Sequence, residues 1–203
     1  MEFSLYTSSD IGRAANIFYP QKIVVTDADS MKAAVSFDHV GALYRENKRS
    51  NDTFLESDCL MLDFDNTHSE KEEDWVTPFD VAMEFPGVSF IAVFSRNHMK
   101  EKNGAAARPK FHAYFPVPKF VDVKAYSDFK KKFYQAYPFF DSNALDGARF
   151  FFGVENPQVE VYEGDRTSVE ILDEDDFEKW EASLEQIAEG SRNTTMSHAA
   201  GKL

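Results

Sequence analysis

The hydrophobic and polar positions of the chain form short apolar runs separated by stretches of helical period. Short apolar or β-branched runs that end at Pro, Gly or an acidic residue predict strands. These runs occupy residues 22–25, 58–64, 88–94, 110–115, 149–153, 159–162 and 168–172.

Helices are predicted where apolar residues recur every three or four positions behind a capping residue. The clearest start is Thr77-Pro78, which places an N-cap directly before a proline at the first helical position. The predicted helices span residues 28–35, 77–84, 123–136 and 173–187. Because helices and strands mix without strict alternation, the expected fold class is α+β with a mixed, mostly antiparallel sheet.

The composition is that of a globular protein. Apolar residues make up 43% of the 203 residues, and 20 Phe, 8 Tyr and 2 Trp can build a sizeable core. The length favours one domain with an appendage. The single cysteine, Cys59, excludes a disulfide scaffold and a Cys-rich zinc site. No signal peptide or membrane-spanning run is visible, so we expect no membrane partner.

The formal charge of −13 argues against a nucleic-acid partner until its distribution is considered. Residues 155–189 hold 13 acids and 2 bases, a net −11, which leaves −2 for the rest of the chain. Basic residues cluster in the stretches 44–50, 96–110 and 119–132. Local potential governs what a cleft attracts, so these stretches are candidate phosphate contacts. Each stretch alone is also typical of a solvated surface.

Two aspartates stand at the end of the predicted strand 58–64. Residues i and i+2 of a strand share a face, so Asp63 and Asp65 point together. Two like charges so close are tolerated when a cation lies between them, and a divalent cation that prefers oxygen ligands fits. The alternative is that one acid caps a turn while the other is solvated.

A second candidate group lies on the strand 110–115. Lys110 and His112 share one face of this strand, and together they could cradle phosphate oxygens. A lone histidine on a strand is more often structural, and that alternative stays open.

Further candidate groups flank a third aromatic-rich region. Asp141 closes one aromatic run and could be a third metal ligand. Arg149 opens the next run and could bind a phosphate through two hydrogen bonds of its guanidinium. The alternative is an ion pair between Asp146 and Arg149, with Asp141 as a helix cap.

Taken together, these groups indicate nucleotidyl transfer. Three carboxylates can hold two divalent ions about 3.5–4 Å apart, one at the attacking hydroxyl oxygen and one at the triphosphate. Lys110, His112 and Arg149 would be positive partners of the phosphates, and no protein nucleophile is required.

The sequence resembles the archaeo-eukaryotic primase superfamily, specifically the primase-polymerases (prim-pols) of phages and plasmids in Gram-positive bacteria. The first motif of this superfamily is a pair of acids, which falls on Asp63 and Asp65. The second, a small residue followed by any residue and His, falls on Lys110-Phe-His112. The third, an acid after an apolar residue, falls on Asp141. Many members have Ser where Lys110 stands. The similarity rests on residues 44–50, 54–69, 108–116 and 140–153.

The resemblance implies an RRM-like catalytic core that acts in phage or plasmid replication in the bacterial cytoplasm. It implies a DNA primase and DNA polymerase that uses two Mg²⁺ or Mn²⁺ ions, NTPs or dNTPs and a single-stranded DNA template. The implied catalytic residues are Asp63, Asp65, Asp141 and His112. The residues expected at the nucleotide are Ser95, Arg96, His98, Lys110, His112 and Arg149. Those expected at the DNA are Arg45, Arg49, Lys100 and Arg108.

The resemblance also suggests a domain boundary. Residues 1–188 are expected to form the catalytic domain, and residues 189–203 the truncated start of a C-terminal helical domain or a linker. A helicase domain or protein is a possible further partner, since relatives often continue into one.

Two other functions remain open from the sequence. Asp63-Phe-Asp-Asn-Thr67 also matches the nucleophile motif of haloacid-dehalogenase phosphatases, although it stands far from the N-terminus and no parallel βαβ series is evident. The chain could also be an inactive nucleic-acid-binding module. Unused buried carboxylates are costly, which argues against that reading.

Overall fold

Two sheets, three α-helices and three short 3₁₀ helices make up the computed structural model, which describes residues 1–101, 104, 106–142 and 145–166. The strands are β1 (Phe3–Thr7), β2 (Gln21–Val25), β3 (His39–Val40), β4 (Ala42–Tyr44), β5 (Phe54–Phe64), β6 (Phe90–Phe94), β7 (Phe111–Phe120), β8 (Phe150–Phe151) and β9 (Val159–Tyr162). The helices are α1 (Ala28–Val35), α2 (Pro78–Glu84) and α3 (Val123–Ala136). The predicted strand 168–172, the acidic helix 173–187 and the segment 189–203 lie outside the described residues.

A five-stranded antiparallel sheet forms the centre of the fold, with strand order β4-β5-β7-β6-β9. Strand β7 lies in its middle, and the register pairs Asp63 of β5 with His112 of β7. The second sheet has the order β2-β1-β3-β8 and is also antiparallel.

The two faces of the five-stranded sheet are covered differently. Leu60, Leu62 and Phe64 of β5 pack against α2 and α3. Cys59 and Met61, on the opposite face, pack against α1 and the four-stranded sheet. Because side chains alternate along β5, Asp63 lies on the face that meets the four-stranded sheet. A site on this face can therefore draw residues from both sheets.

Local capping signals fix the helix starts. Asp27 accepts from the backbone N–H of Ser30 at the start of α1, and Thr77 accepts from that of Asp80 at the start of α2. The predicted spans of α1, α2 and α3 are confirmed, with Thr77 as the cap of α2.

The expected α+β class with mostly antiparallel pairing is confirmed, but the strands form two sheets instead of one. β7 also continues through Pro116 to Phe120, where the sequence predicted an end. Beyond Tyr114 the register pairs β7 with β5 alone, so a proline there interrupts no ladder with β6. The RRM-like arrangement stays a prediction. No helix among the described residues is long and apolar enough to cross a bilayer.

Candidate functional site

Three carboxylates from separate parts of the chain converge where β5 ends. Asp63 is the penultimate residue of β5, Asp65 directly follows the strand, and Asp141 follows α3. Each offers an oxygen, and these oxygens lie within 4.8 Å of one another. The Asp141 N–H donates to the Asp63 carbonyl over 2.7 Å, which fixes the third acid beside the first. The structure therefore brings together all three predicted metal ligands.

Asp63 is the most buried of the three, at 8% exposure. Burial, reinforced by the charge of Asp65, raises the pKa of Asp63 to about 7. The Arg149 guanidinium opposes this rise, because its Nη2 lies 3.2 Å from Asp63 Oδ2. The pairing of Arg149 with Asp63 replaces the alternative ion pair with Asp146, whose carboxylate instead accepts from the Ala148 N–H.

His112 lies opposite Asp63 in the strand register, and its Nε2 is 3.5 Å from Asp63 Oδ1. Its ring stacks on Phe151 of the other sheet, with centroids 3.9 Å apart. Burial lowers the pKa of His112 to about 3, so the ring is neutral at physiological pH. The expectation of a positively charged His112 is therefore wrong for this fold. A neutral imidazole can still donate one hydrogen bond or offer one lone pair.

Lys110 is engaged with the carboxylates. Its Nζ lies 2.9 Å from Asp65 Oδ1, and its side chain is 15% exposed. Asn66 braces this pair, since it adopts a left-handed conformation (φ 51°) and donates to the Pro109 carbonyl over 2.8 Å. The three acids are thus accompanied by two protein cations, Lys110 and Arg149.

Four further predicted residues line a cavity of about 470 Å³ whose lining does not include the three carboxylates, namely Ser95, Arg96, His98 and Lys100. The cavity lies at the end of β6, one strand from Lys110. The Ser95 N–H donates to the Lys110 carbonyl over 2.9 Å, and the Lys110 N–H donates to His98 Nδ1 over 3.2 Å. Lys110 therefore lies between the carboxylates and the cavity.

The expected DNA contacts separate into exposed and structural residues. Arg45 and Lys100 are exposed. Arg108 is 3% exposed and donates to the Asn66 carbonyl over 2.7 Å, so it is not accessible in the way a DNA ligand must be. Arg49 donates to the Ala148 carbonyl over 2.8 Å and lies 4.6 Å from the Phe150 ring centroid. Burial of Arg108 contradicts its predicted role at the DNA, whereas Arg49 is half-buried and its predicted role at the DNA stays a prediction.

Several residues at the site had no role in the sequence prediction. Phe151 supports His112, while Tyr44 and Lys130 hold the segment before Arg149. The aromatic run 150–152 is visible in the sequence, but no local sequence pattern indicates that Phe151 stacks on His112 of a distant strand.

The phosphatase alternative requires a parallel sheet around its aspartate pair. All sheet ladders among residues 1–101, 106–142 and 145–166 are antiparallel. The fold therefore does not favour that alternative.

The geometry defines an acidic centre compatible with a divalent cation, flanked by cationic groups that suit phosphates. No family model and no curated protein matches the chain. Among solved structures, the chain is similar to the AEP domain (PP-N190) of the Cyanophage S-2L Primase-Polymerase (PrimPol). The TM-score is 0.44 and the identity 14%, over 88% of each chain. Similarity of this size transfers neither fold nor function to the chain.

Proposed function

We propose that the chain is a nucleotidyltransferase domain of the primase-polymerase type, which joins nucleotides from NTPs or dNTPs on a single-stranded DNA template. The observation that carries the proposal is the convergence of Asp63, Asp65 and Asp141 within 4.8 Å, beside Arg149 and Lys110. The order of the motifs along the chain, which resembles that of prim-pols, supports the same reading.

The donor set fits a divalent cation. All three ligands are hard carboxylate oxygens, and burial together with the charge of Asp65 raises the pKa of Asp63, so a bound cation would offset the cost of ionising it. Mg²⁺ or Mn²⁺ bound there would polarise a phosphoryl oxygen and lower the pKa of an attacking hydroxyl.

The surrounding residues would orient the nucleotide. Arg149 presents a guanidinium at Asp63 and is 30% exposed, so it can also reach a phosphate oxygen. His112, as a neutral imidazole, would form a hydrogen bond with the nucleotide. The adjoining cavity, with Arg96 and His98 in its lining, would hold the remainder of the nucleotide.

The template would approach over the exposed basic residues. Arg45 and Lys100 are the predicted DNA contacts that remain accessible. Because the acidic charge is concentrated beyond residue 155, the potential around these residues can be positive despite the net charge of −13. A helicase domain or protein would be a natural further partner in replication.

Primer synthesis and primer extension on single-stranded DNA test the proposal directly. The assay supplies Mg²⁺ or Mn²⁺ with rNTPs and dNTPs in separate reactions, and a generic aryl phosphate tests phosphatase activity in parallel. We expect incorporation by the wild type and by Asp52→Asn, an exposed control, and loss in Asp63→Ala combined with Asp65→Ala. Undiminished incorporation by the double variant, or aryl phosphate hydrolysis without incorporation, would refute the proposal.

A further inference from the structure

The backbone just before Arg149 is held by an unusual set of donors. Three successive carbonyl groups, those of Asp146, Gly147 and Ala148, each accept a hydrogen bond from a different side chain. Lys130 Nζ donates to the first over 3.0 Å, Tyr44 Oη to the second over 2.9 Å, and Arg49 Nη1 to the third over 2.8 Å.

The three donors come from separate parts of the fold. Tyr44 belongs to β4, Lys130 to α3, and Arg49 to the segment between β4 and β5. Tyr44 is 2% exposed and Lys130 3% exposed, so neither is a surface contact. Because the bond from Tyr44 to Gly147 is buried at both ends, water cannot replace the hydroxyl, and its loss would leave the Gly147 carbonyl unsatisfied.

The placement of Lys130 is costly. Burial lowers its pKa to about 8, and the ammonium group lies 4.4 Å from the Tyr126 ring centroid. A lysine is seldom buried unless it is paired, so this contact is one that the fold retains against its desolvation cost.

Close packing restricts the segment as well. A Cβ at Gly147 would lie 2.7 Å from Val123 Cγ2 and 3.1 Å from Asn51 Oδ1. The backbone therefore approaches the start of α3 at a distance that only glycine allows.

Arg149 is the next residue, and its guanidinium contacts Asp63 over 3.2 Å. Its Nε is buried and has no hydrogen-bond partner among the described residues. The guanidinium is thus located by its backbone, by one carboxylate and by the Phe151 ring, whose centroid lies 5.6 Å from its Cζ. A shift of the backbone would therefore move it relative to Asp63.

We infer that Tyr44, Arg49 and Lys130 form a carbonyl clamp that positions Arg149 against Asp63, and that they act as positioning residues for nucleotide binding. The part concerning the nucleotide rests on the proposed function. None of the three needs to touch the nucleotide, because they act through the Arg149 backbone.

Hydrogen exchange at the arginine Nε–H groups tests the positioning directly. Tyr44→Phe removes one hydroxyl and keeps the ring that packs on Phe54. We expect the exchange rate at Arg149 Nε–H to rise about tenfold, with that of the buried Arg108 unchanged in the same spectrum. The matched control is Tyr126→Phe, which removes another buried hydroxyl that donates to a backbone carbonyl, that of Cys59. Unchanged exchange at Arg149, or an equal rise at both arginines, would overturn the clamp.

A second measurement tests whether the carbonyl clamp supports nucleotide binding. We expect Tyr44→Phe to raise the apparent nucleotide KM about three- to tenfold with kcat little changed, and to have no further effect in an Arg149→Lys background. Equal effects in both backgrounds would mark Tyr44 as merely structural. If exchange responds but the wild type incorporates no nucleotide, the clamp holds and the proposed function fails.

Discussion

Replacing Asp63 by Asn should stabilise the metal-free protein. Asp63 is buried beside Asp65 and Asp141, and its pKa is raised from 3.8 to about 7. A group whose pKa rises on folding stabilises the fold in its protonated form, so the contribution is complete below pH 4 and is lost as the pH rises through 7. An Asn side chain resembles the protonated acid in shape and carries no charge to lose.

The expected gain follows from the difference between the two pKa values. At about 1.4 kcal/mol for each tenfold change, ionised Asp63 destabilises the fold by up to about 4 kcal/mol at pH 8. About 2.5 kcal/mol of this accrues between pH 5 and pH 8. This figure already includes the attraction of Arg149, whose Nη2 lies 3.2 Å from Asp63 and opposes the rise of its pKa. We therefore expect Asp63→Asn to be more stable than the wild type by about 2–4 kcal/mol at pH 8.

Urea unfolding with a chelator present, at pH 5 and pH 8, measures this difference. The control is Asp52→Asn, which removes an exposed carboxylate and should behave as the wild type at both values. Added Mn²⁺ should stabilise the wild type and not Asp63→Asn. A stability difference that does not grow between pH 5 and pH 8, or a wild type more stable than the variant at pH 8, would refute the electrostatic reasoning.

Three other substitutions test separate parts of the structure. Lys110→Met should tighten Mn²⁺ binding about five- to tenfold by calorimetry, because Asp65 loses the ammonium group 2.9 Å away; weaker binding would contradict this. Asp141→Asn should reduce nucleotide incorporation at least about 100-fold with little change in Tm, since the contact with the Asp63 carbonyl is made by the backbone. A Tm that falls together with activity would instead mark Asp141 as structural. Arg108→Met should lower the free energy of unfolding by about 2–4 kcal/mol, because carbonyl groups that Arg108 reaches lose a buried donor. DNA affinity that falls in Arg108→Met while stability holds would show that Arg108 binds DNA after all.

Local signals predicted the helices and the core of the site. Thr77-Pro78 encodes a cap and a first turn within adjacent residues, and α2 begins there as expected. The pairing of Asp63 with Asp65 follows from the two-residue period of a strand, which needs no knowledge of the fold. His112 was predicted for the same reason, because it shares one face of its strand with Lys110.

Features that depend on distant contacts could not be predicted. The N-terminal strand Phe3–Thr7 is buried along its whole length although Ser4 and Thr7 are polar, so its sequence lacks the continuous apolar run that marks a buried strand. The neutrality of His112 follows from its burial, and Phe151 of the other sheet covers the ring by stacking on it. Arg108 belongs to a basic stretch, and only the fold shows that its guanidinium turns inward to the Asn66 carbonyl.

The charge balance explains why the site needs both sheets. The five-stranded sheet supplies Asp63 and is directly preceded at β7 by Lys110, while Arg149 directly precedes a strand of the other sheet. With all three acids ionised and His112 neutral, the acids and the two cations carry a net charge of −1. One divalent cation would reverse this to a positive charge, which attracts a triphosphate, whereas the carboxylates without Lys110 and Arg149 would stay negative. Separation of the two sheets would therefore remove Arg149 from the site. One divalent cation would then only neutralise the site and would not make it positive enough to attract a triphosphate, even with every carboxylate in place.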